Sequence, residues 1–144
     1  INGYFDYVVP PLEGFWWQEG SERIDHSRKK DFCWISLIRL PDFVTNEDFQ
    51  NIKNATEQKK NHDYSKVEFM TIEEGLCVQC MHIGSYDEEY KTISMMEQYL
   101  EECGFISDLS PNRLHHEIYL SDARRVVPEK WKTVIRHPIR KKGE

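Results

Sequence analysis

The sequence predicts an α+β fold in which an antiparallel sheet carries helices on one face. Residues 32–40 and 76–83 are rich in apolar, aromatic and β-branched side chains, which is typical of strands. Residues 46–60 and 85–103 instead place apolar side chains at helical spacing. The predicted order is strand, strand, helix, strand, helix, strand, strand, and such an order indicates helices layered against a sheet.

The segments before the first helix alternate between extended and irregular. Residues 4–9 are almost all aromatic or β-branched and predict a strand, which the Pro-Pro pair at residues 10–11 interrupts. Residues 13–17 resume an extended segment. The polar stretch 18–31 predicts a loop that leads into the buried strand at residues 32–40.

Both helices carry end signals. Thr45 and Asp48 resemble a capping box and predict a helix over residues 46–60. Capping and acidic residues at positions 85–89 favour the start of the second helix, and Gly104 favours its end. Its apolar face is predicted to consist of Ile93, Met96, Leu100 and Cys103.

The C-terminal part predicts two further strands, residues 115–120 and 131–137, joined by a turn that contains Pro128. Residues from about Arg140 are expected to form a frayed, disordered tail. With 144 residues, the whole of 1–144 fits one domain with a substantial core.

Composition excludes some functions. The net charge of -6 and the short, scattered basic runs argue against direct nucleic-acid binding. A membrane span needs about 18 consecutive apolar residues, and neither such a run nor a signal-peptide pattern occurs. We therefore expect a cytoplasmic protein without a membrane partner and with four reduced cysteines. Because the chain starts at Ile1 within an apparent strand approach, upstream residues are expected.

Six stretches resemble the GyrI-like small-molecule-binding family. They are residues 9–17 (VPPLEGFWW), 31–34 (DFCW), 74–79 (EGLCVQ), 81–86 (MHIGSY), 115–122 (HHEIYLSD) and 132–138 (KTVIRHP). The resemblance implies two strand-helix-strand-strand modules in a pseudo-twofold arrangement, forming a curved sheet whose concave face holds the ligand. The second module spans residues 66–139, and the first lacks its opening strand and helix.

The resemblance also implies a function. GyrI-like proteins include sequestering binders, effector domains of transcription regulators and, in the branch that residues 9–17 and 115–122 most resemble, hydrolases that open the cyclopropane ring of DNA-alkylating compounds. The expected partner is therefore a planar aromatic small molecule, hydrophobic and either cationic or electrophilic. Hydrolytic detoxification, sequestration and an effector role all stay open, as does the oligomeric state.

Glu117 is the candidate catalytic residue. The period of two in a strand places His115, Glu117 and Tyr119 on one face. If the helices pack on the opposite face, beside Ile118 and Leu120, then Glu117 points into the cleft. There it could act as a general base or pair with a cationic ligand, while Tyr119 polarises a carbonyl. The alternative is a surface carboxylate paired with a basic neighbour, and His115 either orients Glu117 or is structural.

Aromatic side chains are the candidate ligand-binding residues. Trp16, Trp17 and Trp34 could sandwich a planar ligand, and Tyr7 and Tyr86 could add to the same surface. Trp16 and Trp17 are adjacent in a strand and so face opposite ways. Only one of the two can lie in the cleft, and the sequence does not tell which.

Metal and cofactor motifs are weak. Cys77 and Cys80 are three residues apart in a strand and so face opposite ways, with only His82 nearby. His115 and His116 are adjacent and diverge in the same manner. No dinucleotide or phosphate-binding motif occurs. The sequence thus predicts neither a metal nor a cofactor.

Overall fold

Six strands occur in the described residues, and all belong to one of the two units into which the chain divides. The computed structural model describes residues 2–21, 24–25 and 27–144. Unit 1 comprises Ile1–Pro10 and Arg39–Glu73, and unit 2 comprises Pro11–Ile38 and Glu74–Glu144.

Unit 2 is built on an open, curved antiparallel sheet, as the sequence predicts. Its strands are β1 (Glu13–Gln18), β2 (Phe32–Leu37), β3 (Cys77–Ile83), β4 (Phe105–Ser107), β5 (His115–Tyr119) and β6 (Lys132–Lys141). They lie in the order β2-β1-β5-β6-β3, and the short β4 pairs with β6. With the two α-helices found among the described residues, this arrangement confirms the α+β class.

The helix of unit 2 packs on the sheet. This helix, α2, spans Glu89–Cys103 and contacts β3 and β4. It ends at Gly104, whose φ of 79° is a left-handed conformation that glycine adopts without steric cost. The buried hydrophobic side chains of the described residues are Phe15, Met96, Leu100, Ile135 and Ile139. Met96, Leu100, Ile135 and Ile139 come from α2 and β6 and form a core between the helix and the sheet. Phe15 of β1 lies on the opposite face, against the ring of His116.

The helix of unit 1, α1, spans Asn46–Lys60 as predicted. Thr45 and Asp48 form a complete capping box, in which each side chain accepts a hydrogen bond from the other residue's backbone N–H. Asn61 ends the helix in a left-handed conformation with a φ of 45°. Within the described ranges, neither α1 nor α2 has the length and apolar character that crossing a membrane requires.

The predicted strand at residues 4–9 is wrong. This segment forms no strand; instead, the rings of Tyr4, Phe5 and Tyr7 lie 5.3, 5.1 and 5.9 Å from the ring of Phe43. The aromatic composition that suggests a strand therefore serves a ring cluster within unit 1, because aromatic side chains suit either role.

The end of β6 also differs from the prediction. The sequence places it at His137 with a frayed tail from about Arg140, but the strand continues to Lys141. Lys141 pairs with Phe105 of β4, and this pairing gives hydrogen-bond partners to backbone groups at the end of β6. From Cys77 onward the strands and the α-helix follow the order β3, α2, β4, β5, β6, so β4 is an additional strand between the helix and the last two strands of the predicted second module.

Candidate functional site

Three side chains of β5 share one face of the sheet, as the alternation predicts. Glu117 pairs with Gly14 of β1 on one side and with Ile135 of β6 on the other. Directly paired residues project to the same face, and because Gly14 has no side chain, other groups can occupy the space beside Glu117. A Cβ atom at Gly14 would lie 2.9 Å from Trp16 Nε1 and 3.0 Å from the Tyr119 hydroxyl oxygen, so only glycine fits.

A chain of hydrogen bonds converges on Glu117, which is 7% exposed. Trp16 Nε1–H donates to the Tyr119 hydroxyl oxygen at 2.8 Å, and the Tyr119 O–H donates to Glu117 Oε2 at 2.6 Å. His115 Nε2 lies 2.8 Å from the other carboxylate oxygen, Oε1. These donors fix the carboxylate in one orientation, as required of a functional group.

A hydrogen bond to a residue of the neighbouring strand orients His115. Its Nδ1 lies 2.6 Å from Nε2 of His137, a buried residue of β6. Burial, followed by the neighbouring His115, lowers the pKa of His137 to about 3, so the His137 ring is neutral at physiological pH. The hydrogen bond between the rings therefore orients His115 toward Glu117.

A second carboxyl group from α2 lies beside Glu117. Glu89 is 2% exposed, and its burial together with the charge of Glu117 raises its pKa far above the ordinary value. Burial also acts to raise the pKa of Glu117, but hydrogen bonds from His115, Glu89 and Tyr119 outweigh it and lower that pKa. At neutral pH the pair therefore consists of a protonated Glu89 and an ionised Glu117.

The helix lies on the same face as Glu117, and this corrects the prediction that helices pack beside Ile118 and Leu120. Thr92 of α2 is hydrogen-bonded to His82 of β3 at 2.8 Å. His82 shares its face with Tyr119, because both pair with Thr133. Amphipathicity identifies the buried face of a helix, but both faces of this sheet mix polar and apolar residues, so the pattern did not identify the covered face.

An aromatic surface borders the network on the β1–β2 side. The ring of Trp16 lies 6.1 Å from that of Trp34, its partner across the strands, and 5.9 Å from that of Phe32. Trp34 is 58% exposed. The rings of Trp34 and Trp16 thus offer apolar area next to Tyr119.

A second aromatic group borders Tyr119 from the segments around β3 and β6. The ring of Tyr86 lies 6.0 Å from Tyr119 and 4.6 Å from Trp131. Trp131 donates its indole N–H to the Val126 carbonyl oxygen at 2.7 Å, which fixes the ring. Sequence reasoning missed Trp131, because it stood at the start of a predicted strand and gave no sign of its orientation.

Two predicted aromatic residues lie elsewhere. Trp17 pairs with Cys33 on the opposite face from Trp16, although it and Trp16 both border a small cavity of about 90 Å³ near Leu114. Tyr7 belongs to unit 1, where it contacts Phe43. Of the adjacent tryptophans, Trp16 is the one that contacts Tyr119.

His116 occupies the opposite face and joins an ionic network there. Its Nδ1 lies 2.6 Å from Glu74 Oε1, and its Nε2 lies 2.8 Å from Glu13 Oε1. Arg136 Nη1 donates to Glu74 Oε2 at 2.8 Å. Burial acts to raise the pKa of Glu74, but His116 and Arg136 outweigh it and lower that pKa. These contacts give His116 a structural role in joining β1, β5 and β6.

One group in the described part of the chain has the composition of a metal site. Glu89, His115 and Glu117 each offer a ligand atom, and the three atoms lie within 4.8 Å of one another. Glu89 comes from α2, so the spacing within β5 that argued against a metal could not reveal it.

Comparisons with known proteins match the chain to one family and to several solved structures. The family model for the GyrI-like small molecule binding domain matches residues 2–140. An uncharacterized conserved protein from Listeria innocua has a similar structure, with 46% identity and a TM-score of 0.89 over 96% of this chain and 68% of that one. Two hydrolases from Listeria innocua are also similar. One is 43% identical with a TM-score of 0.85 over 96% of this chain and 66% of its own.

The other hydrolase is 44% identical, with a TM-score of 0.85 over 96% of this chain and 67% of its own. The chain thus spans about two thirds of each of these structures. A comparison with curated proteins gives no significant match. The fold and the extent of the family match lead to one conclusion: the chain belongs to the GyrI-like small molecule binding domain family.

Proposed function

We propose that this domain binds planar, largely apolar small molecules beside Glu117 and hydrolyses those that carry a strained electrophilic ring. Cyclopropane-containing DNA-alkylating compounds are the expected substrates, and their hydrolysis would be a detoxification step. The observation that carries the proposal is a buried, ionised carboxylate bonded to Tyr119, with aromatic rings on two sides. Similarity to two hydrolases supports it.

Binding follows from the aromatic surfaces. Flat indole and phenol rings bury large apolar areas, and aromatic pairs add about 0.5–1.5 kcal/mol beyond that burial. Trp34 is exposed and Trp16 is partly buried, so both have area to offer a ligand. Tyr86 and Trp131 offer a second surface on the other side of Tyr119.

The reaction needs a base and a proton donor. Glu117 would take a proton from water as the oxygen attacks the cyclopropane carbon. The broken C–C bond then delivers its electron pair through the conjugated system to the ligand carbonyl, whose oxygen takes up the equivalent of the proton that Glu117 removed from water, so that the product is the compound plus one water. Burial raises the pKa of Tyr86, so its hydroxyl remains protonated and can polarise that carbonyl. Tyr119 donates its O–H to Glu117 and orients the base.

A second function, sequestration without turnover, is favoured by the donors around Glu117. Three hydrogen bonds stabilise its charge and lower its pKa, which reduces its strength as a base. A stabilised carboxylate among aromatic rings suits a planar cation. The same binding mode would serve an effector domain of a transcription regulator.

The experiment is to incubate the protein with a planar, cyclopropane-containing alkylating compound. Tryptophan fluorescence reports binding, and mass spectrometry reports the product. We expect quenching together with a product heavier than the compound by one water. Quenching without a mass change would favour sequestration over hydrolysis, and the absence of both signals would contradict both functions.

A further inference from the structure

We propose that Glu89, His115 and Glu117 form a binding site for a small divalent transition-metal cation of the Zn²⁺ class. Their ligand atoms lie within 4.8 Å of one another, and all three residues are buried. One imidazole nitrogen and two carboxylate oxygens are ligands that Zn²⁺ accepts, and three protein ligands leave a coordination position open. Hard cations such as Mg²⁺ prefer oxygen ligands, so the histidine favours a transition metal.

An unsatisfied polar atom supports the site. Glu89 Oε1 is buried and has no hydrogen-bond partner, and it is the one such side-chain atom found among the described residues. Buried polar atoms nearly always have partners, so an orphaned carboxylate oxygen calls for an unseen ion or water. Because Glu89 lies in the same cluster as Glu117, a cation between them would satisfy this oxygen.

The charges of the two buried carboxyl groups also favour a bound cation. Two buried carboxyl groups this close to each other cannot both be ionised without a compensating charge. A divalent cation supplies two positive charges and would compensate both carboxylates. With a neutral His115, the cation and its three ligands together would carry no net charge.

The surrounding hydrogen bonds fit a metal ligand. To bind a cation through Nε2, His115 must move its ring proton from Nε2, which faces Glu117, to Nδ1. Nδ1 lies 2.6 Å from His137 Nε2, which can accept that hydrogen bond. Metal-ligating histidines usually donate their second N–H in this way. At Glu117, Tyr119 occupies Oε2 and leaves Oε1 on the side of His115.

Metal binding goes beyond the proposed function, because it can be measured without any organic compound. The metal-free full chain would be titrated with Zn²⁺ by calorimetry, and with Co²⁺ while its visible absorption is recorded. We expect one Zn²⁺ per chain and Co²⁺ bands without the intense thiolate absorption that cysteine ligands give.

Matched variants locate the cation. Glu89→Gln should weaken Zn²⁺ binding by at least ~100-fold. His137→Gln should weaken it by about 10- to 100-fold, the usual effect of removing a residue that hydrogen-bonds to a metal ligand. Glu88→Gln is the control, since Glu88 is adjacent to Glu89 in the sequence but is exposed and paired with Lys91. Circular dichroism verifies folding, and Glu117→Gln serves as a second ligand variant if Glu89→Gln is unfolded.

Two results would overturn the site: no Zn²⁺ binding by the wild type, or equal affinity in the wild type and a folded ligand variant. Equal affinity would place the metal at other residues, such as the free thiols Cys77 and Cys80. Turnover that persists in a chelator while no metal binds would refute this inference and leave the proposed hydrolysis intact. Metal binding without turnover would support this inference and refute the proposed hydrolysis.

Discussion

Glu117→Gln is expected to lower kcat for ring opening by about 10²- to 10⁴-fold, the usual contribution of a general base. The amide has nearly the same shape and can still accept the hydrogen bond from Tyr119, but it cannot take a proton from water. The Kd for a neutral planar compound should therefore change little. Single-turnover mass spectrometry measures the rate, and fluorescence titration measures the Kd.

The control for this substitution is Glu88→Gln, which removes a carboxylate from an exposed position near the start of α2. It should retain wild-type turnover. Equal turnover by the wild type and Glu117→Gln would refute the catalytic role. If Glu117→Gln instead loses affinity only for cationic compounds, Glu117 is a counter-ion and sequestration is the better account.

Ile135→Ala is expected to lower the free energy of unfolding by about 2–5 kcal/mol, because truncating a fully buried isoleucine leaves a cavity. Ile135 is 0% exposed and lies in β6 between Glu117 of β5 and Cys80 of β3. Chemical denaturation followed by circular dichroism measures the change.

Ile83→Ala is the matched control. Ile83 is 62% exposed at the end of β3, so the same truncation should cost less than about 1 kcal/mol, the span of strand propensities. Equal losses for the two variants would mean that Ile135 is not at the centre of the core of unit 2.

Local patterns predicted most elements of the fold. The capping box at Thr45 and Asp48 and the glycine at 104 act within a few residues, so α1 and the end of α2 are where the sequence predicts them. Strand β4 has only three residues and depends on pairing with β6, so no pattern in its own segment reveals it. The prediction of a strand at residues 4–9 was wrong because ring clusters and strands favour the same residue types.

The candidate site was only partly predictable. Alternation along β5 places His115, Glu117 and Tyr119 on one face, since this depends on a single strand. Glu89 and His137 come from other elements and meet these residues only through tertiary packing. In the sequence, Glu89 has the ordinary character of an acidic residue at a helix start, where solvent exposure is the usual outcome.

The central claim is that a planar ligand binds on the Glu117 face of the sheet, and the indole N–H signals in an NMR titration test it most directly. Single Trp→Phe variants assign the signals. We predict that a planar compound shifts the signals of Trp16, which contacts Tyr119, and of Trp131, which packs against Tyr86, and leaves that of Trp17 in place. A shift of Trp17 alone, with Trp16 and Trp131 unchanged, would contradict the account.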